Sequence, residues 1–246
     1  TLGSPLTTSA AALTKSGAGV LVLNGLTGNT YTGGTFFNQG LIEASTLADL
    51  GPSGSLNFYG GGLRWATGAT FDLSARTVVV GTGGATLDTN GNNVTFLDFN
   101  NVIGSGALTK DGAGVLTLNP SVTGILSTVW ATNVNAGTLA LGASGAIGTG
   151  GLALTNNGVL ALGAGTGAAN QTVSQLSGAS TNSIVGGDAA VSVLTVNQST
   201  TSTYAGAIGG VGANQNNLGL TKSGVGSLTL SGTILSYAGP TVVNAG

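Results

Sequence analysis

The sequence predicts an all-β chain that winds as a parallel β-solenoid of roughly ten to twelve rungs with no globular subdomain. Three observations carry this. One signature recurs along the chain in the same order each time. Apolar residues alternate over short stretches bounded by Gly, Asn or Ser, and nowhere keep a helical period for the three turns or so that a stable helix needs. The strands are dense in Gly, Ala, Thr, Val and Asn, residues that stack on themselves without clashing when equivalent positions lie about 4.8 Å apart.

The signature appears first as LTKSGAGVLVLNG from Leu13, then as LTKDGAGVLTLN from Leu108 and LTKSGVGSLTLSG from Leu220. A second segment follows each copy: NTYTGGTFFNQGLIEA from Asn29, TVWATNVNAGTLAL from Thr128 and SYAGPTVVNAG from Ser236. The interval from Leu108 to Leu220 is longer than that from Leu13 to Leu108. With about 20 to 25 residues per rung, each interval must hold several rungs, and the inequality is read as insertions. Further strands are expected at Leu21–Leu23, around Leu87, and at Val94–Phe96, Leu116–Leu118, Leu152–Leu154, Val159–Leu162, Val191–Val196 and Leu228–Leu230. The pairs Asn24-Gly25, Asn90-Gly91 and Asn157-Gly158 serve as corners, because both residues tolerate the left-handed backbone. Gly19, before Val20, is expected to be a corner glycine of the same kind.

Residues 1–246 are expected to form one continuous segment. The chain stops at Val243-Asn244-Ala245-Gly246 and starts at Thr1-Leu2, and the interior copy reads Val134-Asn135-Ala136-Gly137-Thr138-Leu139 without a break. Joining end to start regenerates the signature, so the chain is read as one period of a longer tandem array. Neither end carries a charged cap, which predicts head-to-tail association with further copies of itself.

Composition removes several function classes. Charged residues make up 5% of the chain, with five Lys and Arg against seven Asp and Glu, and there is no His or Cys. The commonest proton shuttle, metal ligands and thiol nucleophile are therefore missing. Five basic residues cannot build a nucleic-acid footprint. No apolar run approaches the length of a membrane helix, and no signal peptide is visible. The lack of cysteine leaves the compartment open.

Few residues remain for chemistry. Asp88-Thr89-Asn90-Gly91-Asn92-Asn93 has the alternating oxygens of a calcium loop, but Asn93 and Phe99 stand where that loop needs Gly and Glu, so a turn with an Asn ladder is the better reading. Gly186-Gly187-Asp188 reads as a corner and Gly163–Gly167 as a loop without the features of a phosphate cradle. The carboxylates Glu43, Asp49, Asp72, Asp88, Asp98, Asp111 and Asp188 show no acid–base pairing, and the chain is not read as an enzyme. Lys15, Lys110 and Lys222 share one repeat position. They are read as solvated residues guarding against wrong strand pairing, with a ligand role for acidic glycans as the alternative. Among the aromatics, Tyr31 and Tyr237 are equivalent and Trp130 lies nearby. Together with Tyr59, Trp65 and Tyr204 they are either repeated packing residues or faces for sugars and proteins. The N-x-S/T triplets at Asn93, Asn170 and Asn197 are expected by chance in this composition. No catalytic, cofactor-binding or metal-ligating residue is assigned, and no cofactor.

The three Leu-Thr-Lys segments, the segment from Asn29 and TLDTNGNNVTF from Thr86 resemble the autotransporter-associated β-strand repeats found in passenger regions of secreted and surface-displayed bacterial proteins. The resemblance covers about half of the chain and is loose across Ser144 to Asn217. It implies a right-handed parallel β-helix and an extracellular or cell-surface location, without fixing one activity. The C-terminal translocator barrel of a complete autotransporter is not in this sequence. The expected function is a structural extracellular fibre or stalk segment, and the alternative is an adhesin passenger that binds cell-surface glycan or protein along one face.

Overall fold

The computed structural model describes residues 4–7, 10–23, 28–98, 101–119, 130–165 and 167–246. Short strands, every pairing parallel, wind through three faces in a fixed order. The first face holds Leu13–Lys15, Thr35–Phe37, Leu56–Phe58, Val78–Val80 and Val102–Gly104, and later Gln171–Val173, Ser192–Asn197, Leu218–Ser223 and Thr241–Val243. In both groups each strand comes immediately before a strand of the second face, except the last, Thr241–Val243, which is placed by its pairing with Leu218–Ser223. The second face is one sheet of ten strands, from Val20–Val22 through Ala85–Asp88 and Leu108–Asp111 to Leu228–Leu230. The third face holds Val94–Phe96, Val115–Leu118, Thr138–Leu141, Val159–Leu162, Ser183–Gly186 and Ala207–Ile208.

Among the described residues, ten strands on the second face mean ten levels and nine turns between the first and the last. At about 4.8 Å per level the stack is about 43 Å long, shorter than twelve rungs would give. Turn length follows from register. Among the paired strands of this face the shortest turn runs from Asn133 to its partner Ala153, and the two longest, equal in length, from Gly178 to Tyr204 and from Thr203 to Thr229.

The core forms because alternation in a strand sends every second side chain inward, and a parallel in-register stack then places inward residues on one another. On the second face one inward column runs Ile42, Leu63, Leu87, Lys110, Val134, Leu154. It continues through Gly178 to Tyr204, whose ring fills the space a Cβ on Gly178 would take. On the first face Phe37 stacks on Phe58 with centroids 4.2 Å apart and planes 4° from parallel. The third face adds Leu116, Leu139, Leu160 and Ile184, all buried. Outward residues are small: on the second face Thr86, Thr109, Asn133 and Ala153 stand in one column, none fully buried.

The unequal spacing of the three signature copies is mainly geometric. Leu13 lies on the first face, Leu108 on the second and Leu220 on the first again. Copy one to copy two is therefore four turns and one face, and copy two to copy three is four turns and two faces. Insertions, inferred from the sequence, contribute only through the greater length of the later turns. Asn90 and Asn157 have positive φ, as their corner roles require, and so do Asn156 and Asn214. The pair Asn24-Gly25 lies outside the described residues. Gly19 does not have the positive φ expected of it; Gly17 (φ 89°) and Gly40 (φ 68°) do.

Candidate functional site

The repeated lysine is the most distinctive polar feature of the molecule, and its side chain is not solvated. Alternation explains its direction: in Leu-Thr-Lys the Leu and the Lys point the same way, inward. Lys15, Lys110 and Lys222 are 8%, 0% and 7% exposed. Each ammonium donates to three backbone carbonyls. Lys110 Nζ reaches Asp111 O (2.8 Å), Gly112 O (2.7 Å) and, one turn later, Ala136 O (3.0 Å). Lys222 Nζ repeats this on Ser223 O, Gly224 O and Ala245 O at 2.8, 2.7 and 3.0 Å. Lys15 Nζ does so on Ser16 O, Gly17 O and Gln39 O at 3.4, 2.5 and 3.1 Å.

The rest of the signature builds this clamp. Gly17, Gly112 and Gly224 take positive φ, so that the chain turns its carbonyl back to the ammonium. The second segment supplies the third carbonyl just before Gly40, Gly137 or Gly246, which also have positive φ. A Cβ on any of these three would fall within 3 Å of a carbonyl oxygen of the turn below. An ammonium has three donors and each clamp offers three acceptors, so the site is closed. Burial pushes Lys110 down to about 8.

Both sequence readings of these lysines, solvated guards and glycan ligands, are thus replaced by an internal clamp. The remaining basic residues are also engaged. Arg64 Nε pairs with Asp88 Oδ2 at 2.7 Å. Arg76, 8% exposed, donates from Nε to Gly54 O (2.6 Å), from Nη1 to Gly51 O (2.9 Å) and from Nη2 to Ser53 O (2.6 Å). Burial pushes its guanidinium below its ordinary range.

The acidic and amide groups are similarly spent on structure. In the turn from Asp88, Asn92 Nδ2 donates to Ala66 O (3.0 Å) and Thr89 O (2.8 Å), and its Oδ1 accepts from Gly68 N (2.7 Å). Asn90 Nδ2 donates to Trp65 O at 3.1 Å. The side-chain amides that resembled a calcium loop therefore tie one turn to the next. Phe99 lies outside the described residues. Asp49, buried, accepts from Ser45 N, Ser45 Oγ and Thr46 N at 2.8 to 2.9 Å. Asp72 accepts from Ser74 N, Ser74 Oγ and Leu97 N. The exposed Asp188 carboxylate is held below its usual range by the backbone N–H of Ala190 and then that of Gly167. The register sets Asp111 beside Asp88 and Glu43 beside Arg64, and no group of three potential metal ligands occurs among the described residues.

Four of the six aromatics are core. Trp65 Nε1 donates to Phe71 O (3.0 Å), Trp130 Nε1 to Gly104 O (2.6 Å) and Tyr204 O–H to Ala207 O (3.1 Å). The Tyr31 hydroxyl lies 3.0 Å from Thr35 Oγ1, and Tyr237 repeats that contact with Thr241 at 2.7 Å. Burial raises both Tyr31 and Tyr204 above the ordinary phenol range. Tyr237 is half-buried, and Tyr59, 48% exposed, lies parallel to Phe36 with centroids 6.5 Å apart. Sequence reasoning missed Arg76, because an arginine after a loop carries no pattern. It misread the lysines although their two-residue offset from an inward Leu pointed inside.

Comparison with known proteins agrees with the repeat. Residues 13–44, 108–141 and 220–246 match the family described as the passenger-associated-transport-repeat. The Adhesin BmaC autotransporter of Brucella suis is 34% identical over 174 residues, 69% of this chain and 5% of that protein. The chain thus spans a small fraction of the length of that curated relative. No solved structure matches.

Proposed function

We propose that this chain, an autotransporter passenger segment built on three passenger-associated transport repeats and lying outside the cell or on its surface, is a structural stalk. One observation supports the reading above all: each copy of the signature spends its Lys and its glycines on bonds between successive turns. What the repeat keeps from copy to copy is thus a way of holding turns together, with its one charged side chain turned inward. The stalk works by stacking, each turn burying the apolar face of its neighbour, and separates whatever lies at its two ends. Catalysis has no part in this reading, since the Asp49 and Asp72 carboxylates serve as hydrogen-bond acceptors for nearby backbone.

A second reading, a binding module, rests on the first face and on the relative that is called an adhesin. There Phe36, Val79 and Ile103 stand in one column, interrupted by the buried Asn57, with Tyr59 beside Phe36 and Ile103 56% exposed. One experiment separates the two. In cells displaying the full-length protein, these residues are replaced by nine turns of an unrelated solenoid, and separately by Tyr59→Ser with Ile103→Ser. A stalk gives unchanged attachment in both. Loss of attachment in both, with surface display intact, overturns the stalk and favours the binding module.

A further inference from the structure

The clamped lysines and Arg76 look alike until their donors are counted. Each lysine has three N–H donors and three carbonyl partners. Arg76 has five N–H donors and three carbonyl partners, Gly51 O, Ser53 O and Gly54 O, all in the loop one turn below. One N–H on Nη1 and one on Nη2 have no partner among the described residues, on a residue only 8% exposed. Among the described residues the one ion pair joins Arg64 to Asp88, and none reaches Arg76. Asp49, which shares Tyr31 as a neighbour with Arg76, is engaged by Ser45 and Thr46. A buried cation is matched by an anion or has every donor satisfied; the three clamped lysines meet the second condition with carbonyls alone, and Arg76 meets neither.

Arg76 also sits at the floor of the surface. It lines a groove of about 570 Å³ with Ser53, Ser55, Ala75, Thr77 and Val79, and a neighbouring hollow of about 300 Å³ with Leu47 and Pro52. Neither lining contains an acidic side chain. Ser53, Ala75 and Thr77 are exposed.

We infer that this groove is a binding site for a carboxylated sugar, a uronic or sialic acid unit, whose carboxylate meets the two spare N–H groups of Arg76. A guanidinium edge matches a carboxylate in two parallel hydrogen bonds. The Ser53 and Thr77 hydroxyls at the rim suit sugar hydroxyls, and Val79 and Pro52 offer the apolar surface on which a ring can lie. Because the three carbonyls already fix the guanidinium plane, no side-chain ordering is needed on binding. The inference does not depend on the stalk reading, since a stalk can carry a glycan contact on its side.

The test is a titration of the chain with an oligosaccharide of alternating uronic acid units, its carboxyl-reduced form, and a peptide with a free C-terminal carboxylate. The uronate oligosaccharide binds, and its affinity falls by about tenfold or more on carboxyl reduction. Arg76→Gln abolishes that preference. Thr77→Glu, at an exposed position that leaves the core and the Arg76 clamp untouched, weakens binding by a similar factor while the melting temperature stays unchanged. Equal binding of acidic and reduced forms, no binding of the acidic form, or indifference to Thr77→Glu would each overturn the site. Binding of the peptide but not the sugar overturns its assignment to a glycan.

Discussion

At the scale of single residues, the molecule depends on where side chains are forbidden as much as on where they sit. Gly137 has φ 65°, and a Cβ there would meet the carbonyl oxygens of Gly112 and Gly114 and the Lys110 ammonium. Gly19 has an ordinary φ and open space around its Cα. Gly137→Ala is therefore expected to lower stability by about 2 kcal/mol or more, through strain and a displaced clamp. Gly19→Ala should change it by no more than about 0.5 kcal/mol. Chemical denaturation of the two variants beside the parent chain checks this, and equal effects would remove the clamp as the reason for the repeated glycines. The contrast also shows what was legible. The sequence marks the glycines of K-x-G-x-G alike, because φ depends on which carbonyl comes near from the next turn, and that neighbour stands a full circuit of the chain away.

At the scale of elements, strands with a plain alternation such as Leu152–Leu154, Leu116–Leu118 and Val159–Leu162 were readable directly. Others were not. Gly62–Trp65, Thr132–Val134 and Gln171–Val173 are very short and begin with Gly, Thr or Gln, so their own pattern cannot carry a period. They are strands because the turns above and below offer a ready hydrogen-bonding edge. The same logic hid the lysines: a charge within an inward column contradicts composition and is tolerated only because three carbonyls of two different turns converge on it. If the turn is the unit, whole turns can be removed. Deleting residues 154–177 joins Ala153 to Gly178, and since Ala153 and Ser177 are register partners every remaining column is preserved. The shortened chain should keep its β circular-dichroism spectrum and a cooperative melt. Deleting only 154–165 shifts later strands off their face and should abolish the cooperative transition. Survival of both, or of neither, would contradict stacking by turns.

At the scale of the whole molecule, the last levels leave apolar surface uncovered. Leu228 and Leu230 are only half-buried, Val243 is 65% exposed, and with Leu220 and Thr241 they line a hollow of about 250 Å³. This is the surface one more turn would cover, and in the isolated chain a second copy is the expected cover. Sedimentation velocity should show concentration-dependent assembly at micromolar protein, reduced by Leu230→Lys with Val243→Lys. A monomer at every concentration would defeat head-to-tail association. The placement of the three clamps has a mechanical consequence. Two share one side of the stack and the third stands a face away, at levels spread from the first turn to the last. A load that opens the first or the second face pulls on a clamp there, while one that opens the third face compresses all three. The offset of one and then two faces between copies, which looks like irregular spacing in the sequence, puts resistance to flexure on two of the three faces and leaves the third as the side on which the stack opens most easily.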